Sequence, residues 1–335
     1  MQPTVSVLIP VRNAESTVES AVRSMLRQTL TDFEIVVVND GSTDSTPSIL
    51  DRLANEDDRI RVIHAPARGI IHALNAGISI CSGEFIARMD ADDICHPSRL
   101  EAQVEMMERE ADLGVCSCLI RMFPRNGLPG GMARYEQWLN SLTSAEQISR
   151  DIFVESPVAH PSVMLRRSEL IEIGGYQERG WAEDYDLWLR YHAAGKKFAK
   201  VRETLFCWRH SPGRLTFTDS RYSIENFLRA KAHYIARMLA GSARPVVLWG
   251  AGMTGRRIGK HLMREGVRIE AVVDIDPKKI GRTMRALAIV PTDYLRCRND
   301  AFVIAAVSSH GARDLIRKPL RHLGFVETVD FICAA

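Results

Sequence analysis

Apolar runs alternate with amphipathic stretches along this chain. Val5–Val11 (VSVLIPV) and residues 34–38 (EIVVV) are short β-branched runs closed by turn formers, which reads as two strands. Between them Val18, Val22, Met25 and Leu26 recur at helical spacing within residues 16–28. A helix over residues 48–54 leads to a strand at 60–64, and residues 83–89 (GEFIARM) form a further buried strand. This alternation predicts an α/β fold with a mostly parallel sheet, whose ligands sit beyond the carboxyl ends of the strands. Residues 133–150 place Tyr135, Trp138, Leu139 and Leu142 on one helical face. Residues 222–240 do the same with Ile224, Phe227, Leu228, Ile235, Met238 and Leu239. That helix ends at Gly241 ahead of Pro245, and a strand at Val246–Trp249 opens a second strand and helix alternation. The expected organisation is therefore a first domain over residues 1–218, a linker helix over 219–243 and a smaller parallel-sheet domain over 244–335.

Composition bounds the function classes. With 335 residues, 46% of them apolar and 25% charged, the chain should bury two ordinary cores. No apolar run approaches the ~18 residues of a spanning helix, and the first strand has no basic flank before it, so a cytoplasmic protein is expected. The seven cysteines lack CxxC spacing and read as reduced thiols, with Cys116 and Cys118 packed in a core. The net charge of +3 hides an asymmetry: residues 241–335 carry 16 Lys and Arg against 9 Asp and Glu, while the first 240 carry 28 against 32. A basic second domain suits phosphates or peripheral contact with the inner face of a membrane, and a homodimer stays open. No sequence feature asks for nucleic acid.

Three polar clusters fall where strands or helices begin and end. Asn39-Asp40-Gly41-Ser42-Thr43-Asp44 follows the second strand; a carboxylate there can accept from a nucleobase N–H, and the same residues serve equally as a turn with Asp44 or Ser45 capping the next helix. Asp90-Ala91-Asp92-Asp93 ends the GEFIARM strand. Carboxylates this dense repel unless a cation separates them, and oxygen ligands suit magnesium or manganese. Asp93 could instead cap the helix starting near Pro97, so only Asp90 and Asp92 are taken as site residues. Glu183-Asp184-Tyr185-Asp186 opens a helix after Gly174-Gly175-Tyr176, where a carboxylate could take a proton from an attacking hydroxyl or simply complement the helix dipole.

Taken in order, VSVLIPVRNAESTVESAVRSMLRQTLTDFEIVVVNDGSTDST, ALNAGISICSGEFIARMDADD and GGYQERGWAEDYDLWLR resemble glycosyltransferase family 2, the inverting group with the GT-A fold, over about residues 3–218. The resemblance implies a nucleotide-diphospho-sugar donor, a divalent cation (Mn²⁺ or Mg²⁺) and a hydroxyl acceptor on a glycan or lipid carrier. It implies that Asp40 reads the base, with Pro10 and Arg12 on the adjoining loop and Arg68 near the base or diphosphate. Asp90 would contact the ribose, Asp92 would hold the metal, Asp184 would be the catalytic base and His210 would complete the metal shell.

In the second domain Gly250, Gly252 and Gly255 follow a strand and open a helix, and Asp274 ends the next strand, the spacing of a dinucleotide fingerprint. The segment resembles the Rossmann-like nucleotide-binding domain of sugar acyltransferases, and either nucleotide binding or a docking role is expected of it. Two other functions compete for the whole chain. A nucleotidyltransferase should carry a glycine-rich loop after the first strand, and residues 10–14 hold no glycine. A non-catalytic nucleotide-sugar sensor would need Asp40 and Asp92 but no base.

Overall fold

The computed structural model describes residues 2–124, 126–211, 213–309 and 311–335. In chain order the first elements are β1 (Val5–Val11), α1 (Val18–Leu26), β2 (Phe33–Asp40), α2 (Thr46–Glu56), β3 (Ile60–Ala65) and α3 (Ile70–Ile80). Next come β4 (Phe85–Arg88), β5 (Ile94–Cys95), α4 (Arg99–Arg109), β6 (Leu113–Phe123), α5 (Gly130–Ser141), α6 (Ala145–Asp151), β7 (Met164–Arg166) and α7 (Arg167–Glu172). Then follow α8 (Glu183–Ala193), β8 (Lys197–Arg209), α9 (Leu215–Thr218) and α10 (Ile224–Leu239). The last stretch holds β9 (Val246–Trp249), α11 (Met253–Arg264), β10 (Ile269–Val273), β11 (Thr283–Met284), β12 (Leu287–Val290), β13 (Phe302–Ala305), α12 (Ala312–His322) and β14 (Phe331–Cys333).

These elements form two compact units. The first comprises residues 1–148, 157–179 and 186–217, and the second comprises 149–156, 180–185 and 218–335. The first unit contains an eight-stranded sheet ordered β3-β2-β1-β4-β7-β6-β8-β5. Every residue of β1 and β2 is buried, the signature of a central parallel strand covered on both faces. The expectation of a mostly parallel sheet holds for β3, β2, β1 and β4, whereas β7 runs antiparallel to both β4 and β6, and β5 antiparallel to β8. Pro10 lies inside β1, contrary to its expected place on a loop. Leu8 O accepts from Met89 N toward β4, so Pro10, two residues on, turns its missing N–H to the same side, and the β1–β4 pairing has already ended at Leu8–Arg88.

The strand order reverses at β1, with β2 on one side and β4 on the other, which makes a switch point for ligand binding at the carboxyl edge. Register pairs Val11 with Asn39 and Leu8 with Arg88, so Arg12, Asp40 and Asp90 emerge together at that edge. Wholly buried Arg99 fixes the end of β4, donating from Nη2 to Arg88 O at 2.8 Å and from Nη1 to Cys95 Sγ at 3.1 Å. Cys116 and Cys118 share one face of β6 and are buried in the apolar cluster of this unit, as core packing requires.

The single helix expected over residues 133–150 is two. Leu142 adopts extended geometry after α5, and the Gln147 side chain reaches back to accept from Thr143 N and Ser144 N at 2.9 and 3.1 Å, capping α6. Buried Lys200 on β8 donates to Leu139 O at the carboxyl end of α5, where a cation suits the helix dipole. It lines a cavity of about 580 Å³ shared with Lys197, Arg202 and Glu105.

The second unit contains a sheet ordered β11-β12-β10-β9-β13-β14, parallel except for β11. Residues 149–156 and 180–185 belong to it through specific bonds: Lys231 Nζ donates to Val154 O at 2.7 Å and Tyr185 OH to Ile152 O at 2.7 Å. Tyr185 also stacks on Phe227 at 5.1 Å.

Burial pushes the Lys200 ammonium down to about 7. An unfolded lysine releases its proton near ~10.4, so the folded state binds the proton less tightly, and stability rises as pH climbs from 7 toward 10. Lys200→Met should therefore stabilise the chain near pH 6.5, with a gain that shrinks by roughly 2 kcal/mol or more toward pH 9.5. Denaturant melts at the two pH values test this; a gain independent of pH would show that the buried ammonium costs nothing.

Candidate active site

The Asn39-Asp40-Gly41 cluster closes the carboxyl end of β2. Gly41 has φ +64°, and a Cβ on it would meet Ala67 N at 2.6 Å, so glycine is required where this turn passes the 65–69 loop. Asp40 is buried; its Oδ1 accepts from Arg68 N at 2.7 Å and its Oδ2 from Gly69 N at 2.9 Å. Arg12 Nη1 stands 3.9 Å from Oδ2. Asp40 thus anchors the loop that carries Arg68: Oδ1 accepts from Gly69 N as well, at 3.2 Å, while Oδ2 keeps a further lone pair for a ligand N–H. The Arg68 side chain lies along α3, with Nη1 3.3 Å from His72 Nε2. Asn13, at φ +48°, laces this turn to the loop after β1, its Oδ1 accepting from Thr43 N at 2.8 Å.

Beyond β4 a turn closed by Asp93 N to Asp90 O at 3.4 Å folds three carboxylates together. One oxygen each from Asp90, Asp92 and Asp93 lies within 4.8 Å of the others, the one such group able to hold a metal among the described residues. Asp93 is not the expected helix cap: Ser98 flanks α4 instead, and Asp93 is wholly buried with Oδ1 accepting from Arg209 N at 2.6 Å. Its Oδ2 is buried with no hydrogen-bond partner among the described residues, and such an oxygen in a cluster of three carboxylates fits a hard cation. Two arginines hold the cluster. Arg88, buried on β4, pairs with Asp90, and Arg209 at the end of β8 donates from Nε to Asp92 O at 2.6 Å. Burial first and Asp90 second push Asp92 up to about 6, with Arg214 and Arg209 opposing; burial, Asp90 and Asp92 push Asp93 upward as well. Arg214 lies over the Trp208 ring at 4.1 Å.

His210 follows Arg209. Its N–H donates to Phe123 O at 2.7 Å, its ring meets Phe217 edge-on at 5.7 Å, and its buried Nδ1 has no hydrogen-bond partner among the described residues. It is not one of the three residues whose ligand atoms converge.

The third cluster opens α8, and its acids differ in environment. Glu183 is buried, with both oxygens accepting from Tyr222 OH at 2.6 and 2.7 Å. Asp186, also buried, pairs with Arg190 at 2.8 Å and Arg179 at 3.6 Å. Asp184 is half-buried, and its Oδ1 accepts from Tyr185 N at 2.7 Å. Of the three carboxylates it is the one that reaches solvent. The preceding Gly174-Gly175-Tyr176 segment is fixed by Asn75, which donates to Tyr176 O at 2.8 Å and accepts from Tyr176 N at 2.9 Å.

In the second unit Gly250 and Gly255 are packing residues. A Cβ on Gly255 would meet Gly250 O at 1.8 Å, and Gly250 has φ +117°. Gly252 precedes α11 with open space around it. Asp274 is buried and turned inward, accepting from Ala251 N at 2.7 Å, Asp276 N at 2.9 Å and Lys279 Nζ at 3.1 Å. It clasps the glycine turn, engaging a backbone N–H of the loop that would face a phosphate.

Arg88, Asp93, Arg209 and Arg214 are the site residues that motif reading passes over. Arg88 had a sequence signal, since a cation inside a buried strand two residues before an acidic run needs a partner.

Comparison with known proteins identifies the family and the fold. The family model "Glycosyl transferase family 2" matches residues 6–174. The chain is 33% identical over 203 residues to the amylovoran biosynthesis glycosyltransferase AmsE of Erwinia amylovora, spanning 60% of this chain and 74% of that protein. It is 29% identical over 229 residues to the putative glycosyltransferase EpsE of Bacillus subtilis, spanning 67% of this chain and 79% of that one. The fold is shared with S. aureus TarS 1–349, solved in complex with UDP-GlcNAc, at TM-score 0.57 and 20% identity, covering 79% of this chain and 72% of that one. It is also shared with the mannosyltransferase PcManGT from Pyrobaculum calidifontis, solved with GDP-Man and Mn²⁺, at TM-score 0.50 and 19% identity, covering 79% and 69%. The chain is a glycosyltransferase and belongs to glycosyl transferase family 2.

Proposed function

We propose that the chain transfers a sugar from a nucleoside diphosphate donor to a hydroxyl of a glycan or lipid-linked acceptor, with inversion at the anomeric carbon. The observation that carries this reading is the convergence of Asp90, Asp92 and Asp93 beyond β4, with one buried oxygen of Asp93 unpaired among the described residues. Asp92 and Asp93 would hold a divalent cation, manganese or magnesium. When bound, that cation supplies charge neutralisation for the diphosphate. Asp90, anchored by Arg88, faces the ribose; Asp40 takes a base N–H; Arg12 and Arg68 stand beside it for the base or phosphates. Arg209 and Arg214 add positive charge beside Asp92, where the leaving group accumulates negative charge.

In the transfer step the acceptor oxygen attacks the anomeric carbon, the bond from that carbon to the phosphate oxygen breaks, and Asp184 takes the hydroxyl proton. One base suffices for a single displacement, unlike the paired carboxylates of a glycosidase. Asp184 is assigned over Glu183 and Asp186 because those two are buried in bonds to Tyr222 and to Arg190. In the second unit the inward turn of Asp274 favours a docking role over nucleotide binding.

Release of nucleoside diphosphate in a screen of nucleotide sugars, with acceptor glycans and manganese, tests the function. With the donor so found, Asp184→Asn should keep donor affinity near wild type while the transfer rate falls ~10²-fold or more. Wild-type turnover would move the base elsewhere, and a chain that binds donors without transfer would be a sensor.

Crowding at Asp92 predicts a stability effect. An unfolded aspartate releases its proton near ~3.9 and the folded one near about 6, so the native state binds the proton more tightly and loses stability as pH rises through that window. Metal-free Asp92→Asn should therefore be more stable than wild type by roughly 1 to 3 kcal/mol at about pH 7.5, and equal to it near pH 4. Thermal melts in chelator measure this; no gain at the higher pH would mean that Arg209 and Arg214 already neutralise the cluster.

A further inference from the structure

The basic excess of residues 241–335 is not spread evenly over the second unit. On α12 Arg313, Arg317, Lys318 and Arg321 stand against the single acid Asp314. A cavity of about 310 Å³ opens along this helix, lined by Arg150, Asp314, Arg317, Lys318, Arg321 and His322. The charges are layered. Arg317 is buried and pairs with Asp151 and with Glu327 at 2.8 Å, Arg150 pairs with Asp151 at 3.0 Å, and Arg321 pairs with Glu327 at 3.2 Å. The side chains of Asp151 and Glu327 are only 4% and 7% exposed, so these acids sit beneath the surface and hold the guanidinium groups in place. Lys318 and His322 are exposed and make no ion pair among the described residues. Asp314 is the one exposed acid of the lining.

Apolar groups share this surface. Leu315, three positions before Lys318, is 73% exposed, the highest value among the large apolar side chains described, and Val326 and Val329 after the helix are 56% and 59% exposed. Val326 adjoins Glu327, which bonds Arg317 and Arg321, and Val329 N donates to Val326 O at 3.2 Å in the turn that follows. Exposed aliphatic side chains beside cations whose counter-charges are buried below match a surface that is anionic outside and apolar just beneath.

We propose that the α12 face of the second unit docks on an anionic bilayer, with Lys318, Arg321 and His322 toward lipid phosphates and Leu315, Val326 and Val329 entering the interface. This surface shares no residue with those assigned to sugar transfer, so either reading can fail without the other. The test is co-sedimentation of the full chain with vesicles of phosphatidylcholine containing about 30% phosphatidylglycerol, and with phosphatidylcholine alone. Binding to the anionic vesicles only is expected, weakening steeply as salt is raised from about 0.1 to 0.5 M. Leu315→Ser with Lys318→Glu should reduce it at least ~10-fold, while the unchanged melting temperature and donor turnover show an intact fold. Inorganic phosphate at matched ionic strength should leave vesicle binding in place. Absent binding, equal binding to both vesicles, indifference to the substitutions, or displacement by phosphate as from a small-anion pocket would each overturn the proposal.

Discussion

The site depends on one electrostatic constraint: three carboxylates folded into a single turn at the end of a buried strand. Asp90, Asp92 and Asp93 cannot all be ionised so close together without cations. The chain supplies two from its own framework. Arg88, itself buried on β4, is made tolerable by its pair with Asp90, while Arg209 binds the turn from β8 through both backbone and side chain. What remains is an Asp93 oxygen with no hydrogen-bond partner among the described residues, and burial first, then the neighbouring carboxylates, push Asp92 and Asp93 upward. In the proposed function a divalent cation would answer it. The sheet exists in the form that makes this possible, since reversal of strand order at β1 leaves the ends of β1, β2 and β4 open side by side.

Much of this was legible in the sequence because it is local. VSVLIPV and GEFIARM are short strand-like runs, and their pattern alone puts the polar clusters at the carboxyl ends of strands. The partners of those clusters were not legible. Arg209 meets Asp93 across 116 residues, and no periodicity links them. Asp93 looked like a helix cap because a helix does follow, yet burial and Arg209 N claim it instead. The break between α5 and α6 was hidden for the same reason, since it is enforced by Gln147 folding back and by Lys200 from β8. Glu183, Asp184 and Asp186 were alike as letters; Tyr222, Arg190 and Arg179 tell them apart.

In the second unit the glycine spacing correctly announced a tight turn between strand and helix, but the spacing alone does not say what the turn is for. Gly250 and Gly255 touch each other, and Asp274 bonds the loop from within, so the same pattern closes a turn on itself. The positive charge of this unit reaches the surface on α12 through Lys318 and Arg321, both exposed, while Arg317 is buried against Asp151 and Glu327.

Isothermal calorimetry of nucleoside diphosphate binding, in manganese and in chelator, tests the central claim most directly. If the acidic turn is a cation site, the diphosphate should bind at least ~10-fold more weakly in chelator, and Asp92→Asn should abolish the difference. Equal affinity in both conditions, with the wild-type chain folded, would contradict a metal at Asp92 and leave Arg209 and Arg214 as the groups that meet the leaving diphosphate.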